Sequence, residues 1–279
     1  LLPLIIIVGL VGGLLLAGRQ SGRLNILILG QDRRPDEHGA ARTDTMILAT
    51  FDPQQPQVAL LSIPRDLWVD IPGYGANRIN TANYFGDLAQ PGYGPTLAVQ
   101  TVQHNFGATV HRYVELDFSG FVAFIDALGG VEIDVPQTII DDNYPTADYG
   151  VTTITIPAGR QYMDGPTALI YARTRHSDSD FGRSQRQQQL LQAVVTRMLQ
   201  PDAWPRLPVA WTAIRTYFIT DLNEVDLATI FVATMLVGPT GIQSYTINQE
   251  LTSPYVTETG AQVLLPRWEL ILPLISQNF

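Results

Sequence analysis

Cysteine is absent from the 279 residues, and so is lysine. The first absence excludes disulfides, thiolate metal sites and a cysteine nucleophile, and it leaves the compartment open. The second makes all 17 basic residues arginine. Genomic bias and a preference for the planar, bidentate guanidinium are both sufficient reasons for that. Charge of either sign is scarce, at 15% of residues, and the balance is negative, at −9. A general nucleic-acid binder needs a basic face to neutralise phosphates, so no nucleic-acid partner is expected. No repeat or low-complexity tract occurs. What is abundant is apolar sequence, 46% of the chain, enough for one large domain or two small ones.

The longest uncharged run is Leu1 to Gly18 (LLPLIIIVGLVGGLLLAG). A spanning helix needs about 20 apolar residues and a signal-peptide core about 7–15. Ala17-Gly18-Arg19 is a poor cleavage site, and the chain starts without Met. Residues 1–18 are therefore expected to be the outer part of a single transmembrane helix whose beginning is missing. Arg19 and Arg23 follow the span but do not fix its orientation.

Beyond a short linker, Leu24–Leu29 is a continuous apolar run ended by Gly30, the pattern of a strand buried on both faces. Thr45–Phe51, Gln57–Ile63, Val110–Leu116, Val131–Val135, Val151–Ile156, Ile242–Ile247 and Gln262–Leu265 read as further strands, with Leu67–Ile71 a short candidate. Helices are expected over Arg78–Phe85, Thr96–Phe106, Phe118–Leu128 (capped by Asp117), Gly165–Arg173 (capped by Asp164) and Phe181–Leu199. Val209–Phe218, Glu224–Leu236 and Arg267–Ile275, the last interrupted by Pro273, complete the set. Thr138–Gly150 reads as acidic and irregular. Mixed strands and helices with short connections predict an α/β fold, a three-layer α/β/α sandwich around a mixed central sheet, undivided from Leu24 to Phe279.

Against the overall acidity, Ala172–Gln188 gathers four arginines: Arg173, Arg175, Arg183 and Arg186. Such a concentration beside apolar segments asks for an anion. Arg183 and Gln187 share a helix face, which continues through Leu190, Leu191, Val194 and Met198, so the polar pair opens the core-facing stripe. A helix N-terminus there favours phosphate. If extended, Arg173 and Arg175 point to one side and form a fork for an oxyanion. An arginine on a solvated first turn, or Arg173 merely complementing a helix C-terminus, is the plainer reading. A second cluster, Asp32 with Arg42 and Asp44, follows the first buried strand, where open sheets place ligands. Two carboxylates facing a phosphate can hold Mg²⁺; equally, Asp32 can cap a turn and Asp44 can pair with Arg42. Arg65 follows the third strand, and Arg78 is a weaker candidate.

Gly30-Gln31-Asp32-Arg33, Arg42-Thr43-Asp44-Thr45, Ser62-Ile63-Pro64-Arg65-Asp66, Arg78-Ile79-Asn80, Asp117-Phe118-Ser119-Gly120-Phe121, Ala172-Arg173-Thr174-Arg175 and Asp178–Gln188 stand in the order seen in the LytR-CpsA-Psr family, which the chain resembles over about Leu24 to Gln200. The resemblance implies a membrane-anchored phosphotransferase on the outer face of the cytoplasmic membrane, with a single type II span. Such enzymes move a phospho-linked glycopolymer from a polyprenyl-pyrophosphate carrier to peptidoglycan or another envelope acceptor. Carried onto this chain, Asp32 and Asp44 would hold Mg²⁺. Arg42, Arg65, Arg173, Arg175 and Arg183 would clamp the pyrophosphate, helped by Gln187, with Arg78 and Arg186 as further substrate-binding positions. Apolar helices around Phe118–Leu128, Leu190–Leu199 and Ile230–Val237 would wall a lipid groove, though core packing accounts for most of those residues. Other readings are a non-catalytic polyprenyl-phosphate binder, a lipid pyrophosphatase, a structural envelope protein, or an envelope-linked transcription attenuator. The last is disfavoured by the acidity and the lack of a helix-turn-helix pattern.

Overall fold

The computed structural model describes residues 12–31, 39–146, 150–174 and 180–279. A helix over 12–20 (α1) leads into β1 (Leu24–Gln31), β2 (Thr43–Asp52), β3 (Gln57–Ser62), β4 (Trp68–Ile71) and β5 (Gly75–Arg78). Next come α2 (Thr81–Ala89), α3 (Gly94–Phe106), β6 (Arg112–Leu116), α4 (Phe118–Ala127), β7 (Val131–Val135), β8 (Ile139–Pro145), β9 (Val151–Ile156) and β10 (Gly159–Met163). Then follow α5 (Gly165–Arg173), α6 (Asp180–Leu199), α7 (Leu207–Tyr217), β11 (Ile219–Thr220) and α8 (Glu224–Val237). The chain ends with β12 (Gln243–Thr246), β13 (Thr252–Val256), β14 (Gln262–Pro266) and α9 (Trp268–Asn278).

Six strands form a mixed sheet in the order β11-β6-β1-β2-β3-β12. β1 runs parallel to β6, and β3 parallel to β12, while β2 is antiparallel to both its neighbours. The central strands are apolar on both faces because both are covered. Leu27, Leu29, Met46, Leu48 and Leu61 pack with α3 (Leu97, Val102, Phe106) and α9 (Ile271, Ile275). Ile26, Ile47, Ala49 and Leu60 turn the other way, to Ala233 of α8, with partly buried Leu191 of α6 and Ile230 of α8 around them. A separate core joins α4, α5, α6, β7 and β10 through Ile125, Ile133, Met163, Tyr171 and Leu190. The fold is thus α/β, with helices flanking a mixed six-stranded sheet.

Several sequence expectations change. Arg78–Phe85 is not one helix. Gly73 and Gly75, both at positive φ, turn the chain so that Arg78 pairs with Trp68 in β4–β5, and the helix starts at Thr81. Ile79, Ala82 and Phe85 imitate helical spacing across that boundary. Thr138–Gly150 is not irregular throughout, since Ile139–Pro145 pairs with β9. A register shift between Asp141 and Tyr144 breaks the two-residue alternation that would have revealed it. Pro273 does not interrupt the last helix, which runs through it. The carbonyl deprived of its donor belongs to exposed Glu269, where water can replace the lost bond. Among the described residues no helix is long and apolar enough to cross a membrane, and residues 1–11 of the expected span lie outside them. Gly18 in α1 lies directly on α8: a Cβ there would come within 2.6 Å of the Ala228 carbonyl carbon.

Candidate functional site

Strand direction brings the motifs together. Gly30 is level with Leu116 on β6 and Thr45 on β2, while Ile47 and Thr246 flank Ser62. The carboxyl ends of β1, β3, β6 and β12 therefore meet the start of β2 at one end of the sheet, the customary place for ligands in open α/β sheets. Gly30 permits the tight approach. A Cβ there would lie 3.0 Å from that of Thr45.

A cavity of about 700 Å³ opens at this end, bordered by Asp44, Ser62, Arg65, Asp66, Arg183 and Gln187 and by residues of β13 and β14. Arg65 Nη1 donates to Asp44 Oδ2 at 3.0 Å, and its Nε reaches Asp66 Oδ2 at 3.4 Å. Asp44 is thus paired with Arg65. Arg183 is only 6% exposed and directs Nη2 to the Asp44 carbonyl at 3.5 Å. The stripe read from the sequence holds: Arg183, Leu190 and Val194 are buried, and Gln187, Leu191 and Met198 partly so. Gln187 Nε2 donates to the Ala172 carbonyl at 3.5 Å, tying α6 to α5. The hydroxyl of Ser62, a residue 3% exposed, has no hydrogen-bond partner among the described residues. A buried hydroxyl in that state costs about 1–3 kcal/mol until a ligand or water satisfies it.

Four expected site residues, Arg42, Arg78, Arg173 and Arg186, stand outside the cavity wall. Arg173 is the last residue of α5 and is helical, not extended; its expected fork partner, Arg175, lies outside the described residues. Its guanidinium lies 4.0 Å over the Phe118 ring and donates to the Tyr144 hydroxyl at 3.3 Å, at the β6 side of the same sheet end. Arg78 bridges instead of lining: Nε pairs with Asp66 Oδ1 at 3.0 Å and Nη2 donates to the Gln262 carbonyl at 2.8 Å. Arg186, 5% exposed, donates to the Tyr171 carbonyl at 3.1 Å and to the Thr174 carbonyl, closing the C-terminus of α5. Its substrate-contact reading gives way to a structural one, because those carbonyls need donors where the helix ends. Arg42 is exposed, next to β2. Asp32 and Arg175 lie outside the described residues. Among the described residues no group of three or more metal-ligating side chains occurs. Asp44 nevertheless presents a hard carboxylate oxygen to the cavity, which is the donor type Mg²⁺ takes.

Sequence reasoning missed the opposite wall. Gln249, Pro254, Tyr255, Val256 and Gln262 border the cavity, yet β13 was not recognised and no motif marked these residues. Tyr144 was missed as well, and Phe118, though part of a quoted motif, was not read as a seat for Arg173. The acidic context of Tyr144 masked it, and the helix-start position of Phe118 hid its contact.

Together these features describe an α/β protein with a cavity at the carboxyl ends of its strands, bordered by Arg65 and Arg183 with Asp44 and Asp66. The chain belongs to the LytR_cpsA_psr family, whose model matches residues 15–267. It is 40% identical over 179 residues to the polyisoprenyl-teichoic acid–peptidoglycan teichoic acid transferase TagU of Oceanobacillus iheyensis, covering 63% of this chain and 52% of that protein. It is 30% identical over 232 residues to the regulatory protein MsrR of Staphylococcus aureus, covering 82% and 65%. The chain therefore spans between about half and two thirds of the length of these relatives. Its fold matches the crystal structure of B. subtilis TagV (TM-score 0.75, 24% identity, 93% of this chain and 98% of that one). It also matches TagT bound to LIIa-WTA (TM-score 0.70, 23% identity, 94% and 90%).

Proposed function

We propose that this chain is a membrane-anchored phosphotransferase. It moves a phospho-linked glycopolymer from a polyprenyl-pyrophosphate carrier to peptidoglycan or a similar envelope acceptor. The observation that carries the reading is the pairing of Arg65 and buried Arg183 around Asp44 in one sheet-end cavity. Family membership and the relatives' transferase names support it.

Phosphoryl transfer depends on positioning and on neutralising spread negative charge, and guanidinium groups do both. Arg65 and Arg183 face the pyrophosphate, Gln187 and the Ser62 hydroxyl hydrogen-bond its oxygens, and Arg173 and Arg42 add positive potential at the rim; Arg175 would join the clamp. Mg²⁺ held by Asp32 and Asp44 would supply further charge neutralisation when bound. A sugar hydroxyl of the acceptor attacks the polymer-proximal phosphorus. The new P–O bond forms as the bridging P–O bond breaks, and polyprenyl phosphate leaves. The hydroxyl proton passes to a carboxylate, for which Asp44 is the candidate in the cavity.

The prenyl chain needs an apolar berth. Ile28, in the middle of the sheet, is only partly buried on the face that carries Ile26, and Phe121, Phe124, Leu191 and Ile230 around that side are likewise half-covered. This unsealed layer between sheet and helices is the proposed lipid groove. Residues 1–18 form the anchor, with 24–279 the extracytoplasmic catalytic domain.

The test is transfer of a labelled lipid-linked polymer to peptidoglycan by the full chain in detergent micelles. Label should move, and chelation of divalent ions should stop it. Tight lipid binding without transfer would overturn the transferase reading in favour of a binding protein.

A further inference from the structure

The two walls of the cavity differ in chemistry. On one side stand Asp44, Arg65, Asp66 and Arg183. On the other, the β13–β14 hairpin and the segment before it offer Gln249, Pro254, Tyr255, Val256 and Gln262, without a charge among them. Tyr255 is 47% exposed and Val256 59%. Large apolar side chains left this open beside a cavity ask for an occupant.

The hairpin is held in place. Leu264 N donates to the Asp66 carbonyl at 3.0 Å, and Arg78 joins the Asp66 carboxylate to the Gln262 carbonyl. The neutral wall is thereby fixed to the residue beside Arg65. β13 pairs only with β14 among the described strands, and it carries Pro254, which lacks the donor a strand-adding partner would use. Peptide addition along this edge is disfavoured.

An open aromatic ring flanked by neutral amides suits a pyranose. Its C–H face packs on the ring, and its hydroxyls hydrogen-bond with amide groups that serve as both donor and acceptor. We infer that Tyr255, with Gln249 and Gln262, forms a saccharide-binding wall that holds a sugar ring against the phosphate clamp. The inference rests on the phosphotransferase reading for its reaction. The sugar comes either from the acceptor glycan or from the first residues of the donor polymer, and kinetics separate the two.

The experiment compares the full chain with Tyr255→Ala and Tyr255→Phe, varying acceptor glycan and lipid-linked donor in turn. Tyr255→Ala should raise one KM about tenfold, equivalent to about 1.4 kcal/mol. Tyr255→Phe, which keeps the ring, should restore it. A change in acceptor KM assigns the wall to the acceptor, and a change in donor KM to the donor sugar. Unchanged KM values for both substrates in an active Tyr255→Ala protein overturn the inference and leave the transferase reading intact.

Saturation-transfer NMR with a β-1,4-linked N-acetylglucosamine tetramer needs no turnover. Tyr255-dependent binding by a chain that transfers nothing would uphold the wall while the transferase reading fails. Weakened binding to anionic vesicles in Tyr255→Ala, with tetramer binding unchanged, would give the face to a lipid surface and overturn the saccharide assignment.

Discussion

Arg183 and Arg186 lie on the same helix, both almost fully buried, and they do different work. Arg183 borders the cavity, whereas Arg186 serves the carbonyls at the end of α5. Substitution should separate them. Arg183→Ala is expected to lower the transfer rate about 10²–10³-fold, the scale of removing a preorganised donor from developing charge, with the circular dichroism spectrum unchanged. Arg186→Met should cost about 2–4 kcal/mol in urea unfolding, because two buried carbonyls lose a charged donor, and the donor KM of the surviving folded enzyme should stay the same. The Asp44–Arg65 pair is partly solvated, so it contributes at most about 1 kcal/mol to stability. Asp44→Asn should therefore abolish transfer with little change in the unfolding midpoint. Sequence order identified Asp44, Arg65, Arg183 and Gln187 as a group. It did not distinguish lining arginines from bracing ones, since both kinds sit at motif positions and differ only in where the tertiary fold sends the guanidinium.

Helices with long apolar stripes and dedicated caps were legible from the chain. Asp117 accepts from Gly120 N at 2.8 Å and Asp164 from Thr167 N at 2.9 Å, where each was expected to cap. The cap of α8 went unread, although it is complete. Asn223 Oδ1 accepts from Val225 N and Asp226 N, and Asp226 Oδ2 accepts from Asn223 N. Asn223→Ala should cost about 1–2 kcal/mol by chemical unfolding. Short strands were the weak point. β5, β8, β10 and β13 have four to seven residues, mix polar and apolar side chains, and gain their stability from a neighbour rather than from their own periodicity. The neutral cavity wall is built from one of these, so it could not be seen before its partner strand was known.

Over the whole molecule, the cavity-lining charges collect at one end of the sheet, and a histidine-centred tie lies at the other. At that far end Asn25 N donates to His111 Nδ1 at 2.9 Å, which requires a neutral imidazole. Desolvation first, and the adjacent Arg112 second, hold the His111 pKa below its ordinary 6.5, against an opposing pull from Asp226. A folded pKa below the unfolded one means that the unfolded chain binds more protons, so stability falls as pH drops through about 6.5 toward the lower folded value. Much of His111 is exposed, so the slope should be shallow. Unfolding midpoints measured between pH 7.5 and 5.5 should fall less in His111→Gln than in the parent chain.

The contact of Gly18 with Ala228 makes α8 two things at once: a wall of the proposed groove and the helix on which α1 rests. On the proposed anchoring, a helix seated on α8 would leave little slack between bilayer and domain, like a turret bolted to its mounting. A glycine, by permitting the close approach of α1 to α8, would then set the depth from which a prenyl chain has to rise. Gly18→Leu should act as a spacer, lifting the domain and weakening capture of lipid-borne donor while leaving turnover of a short-chain, water-soluble donor unchanged.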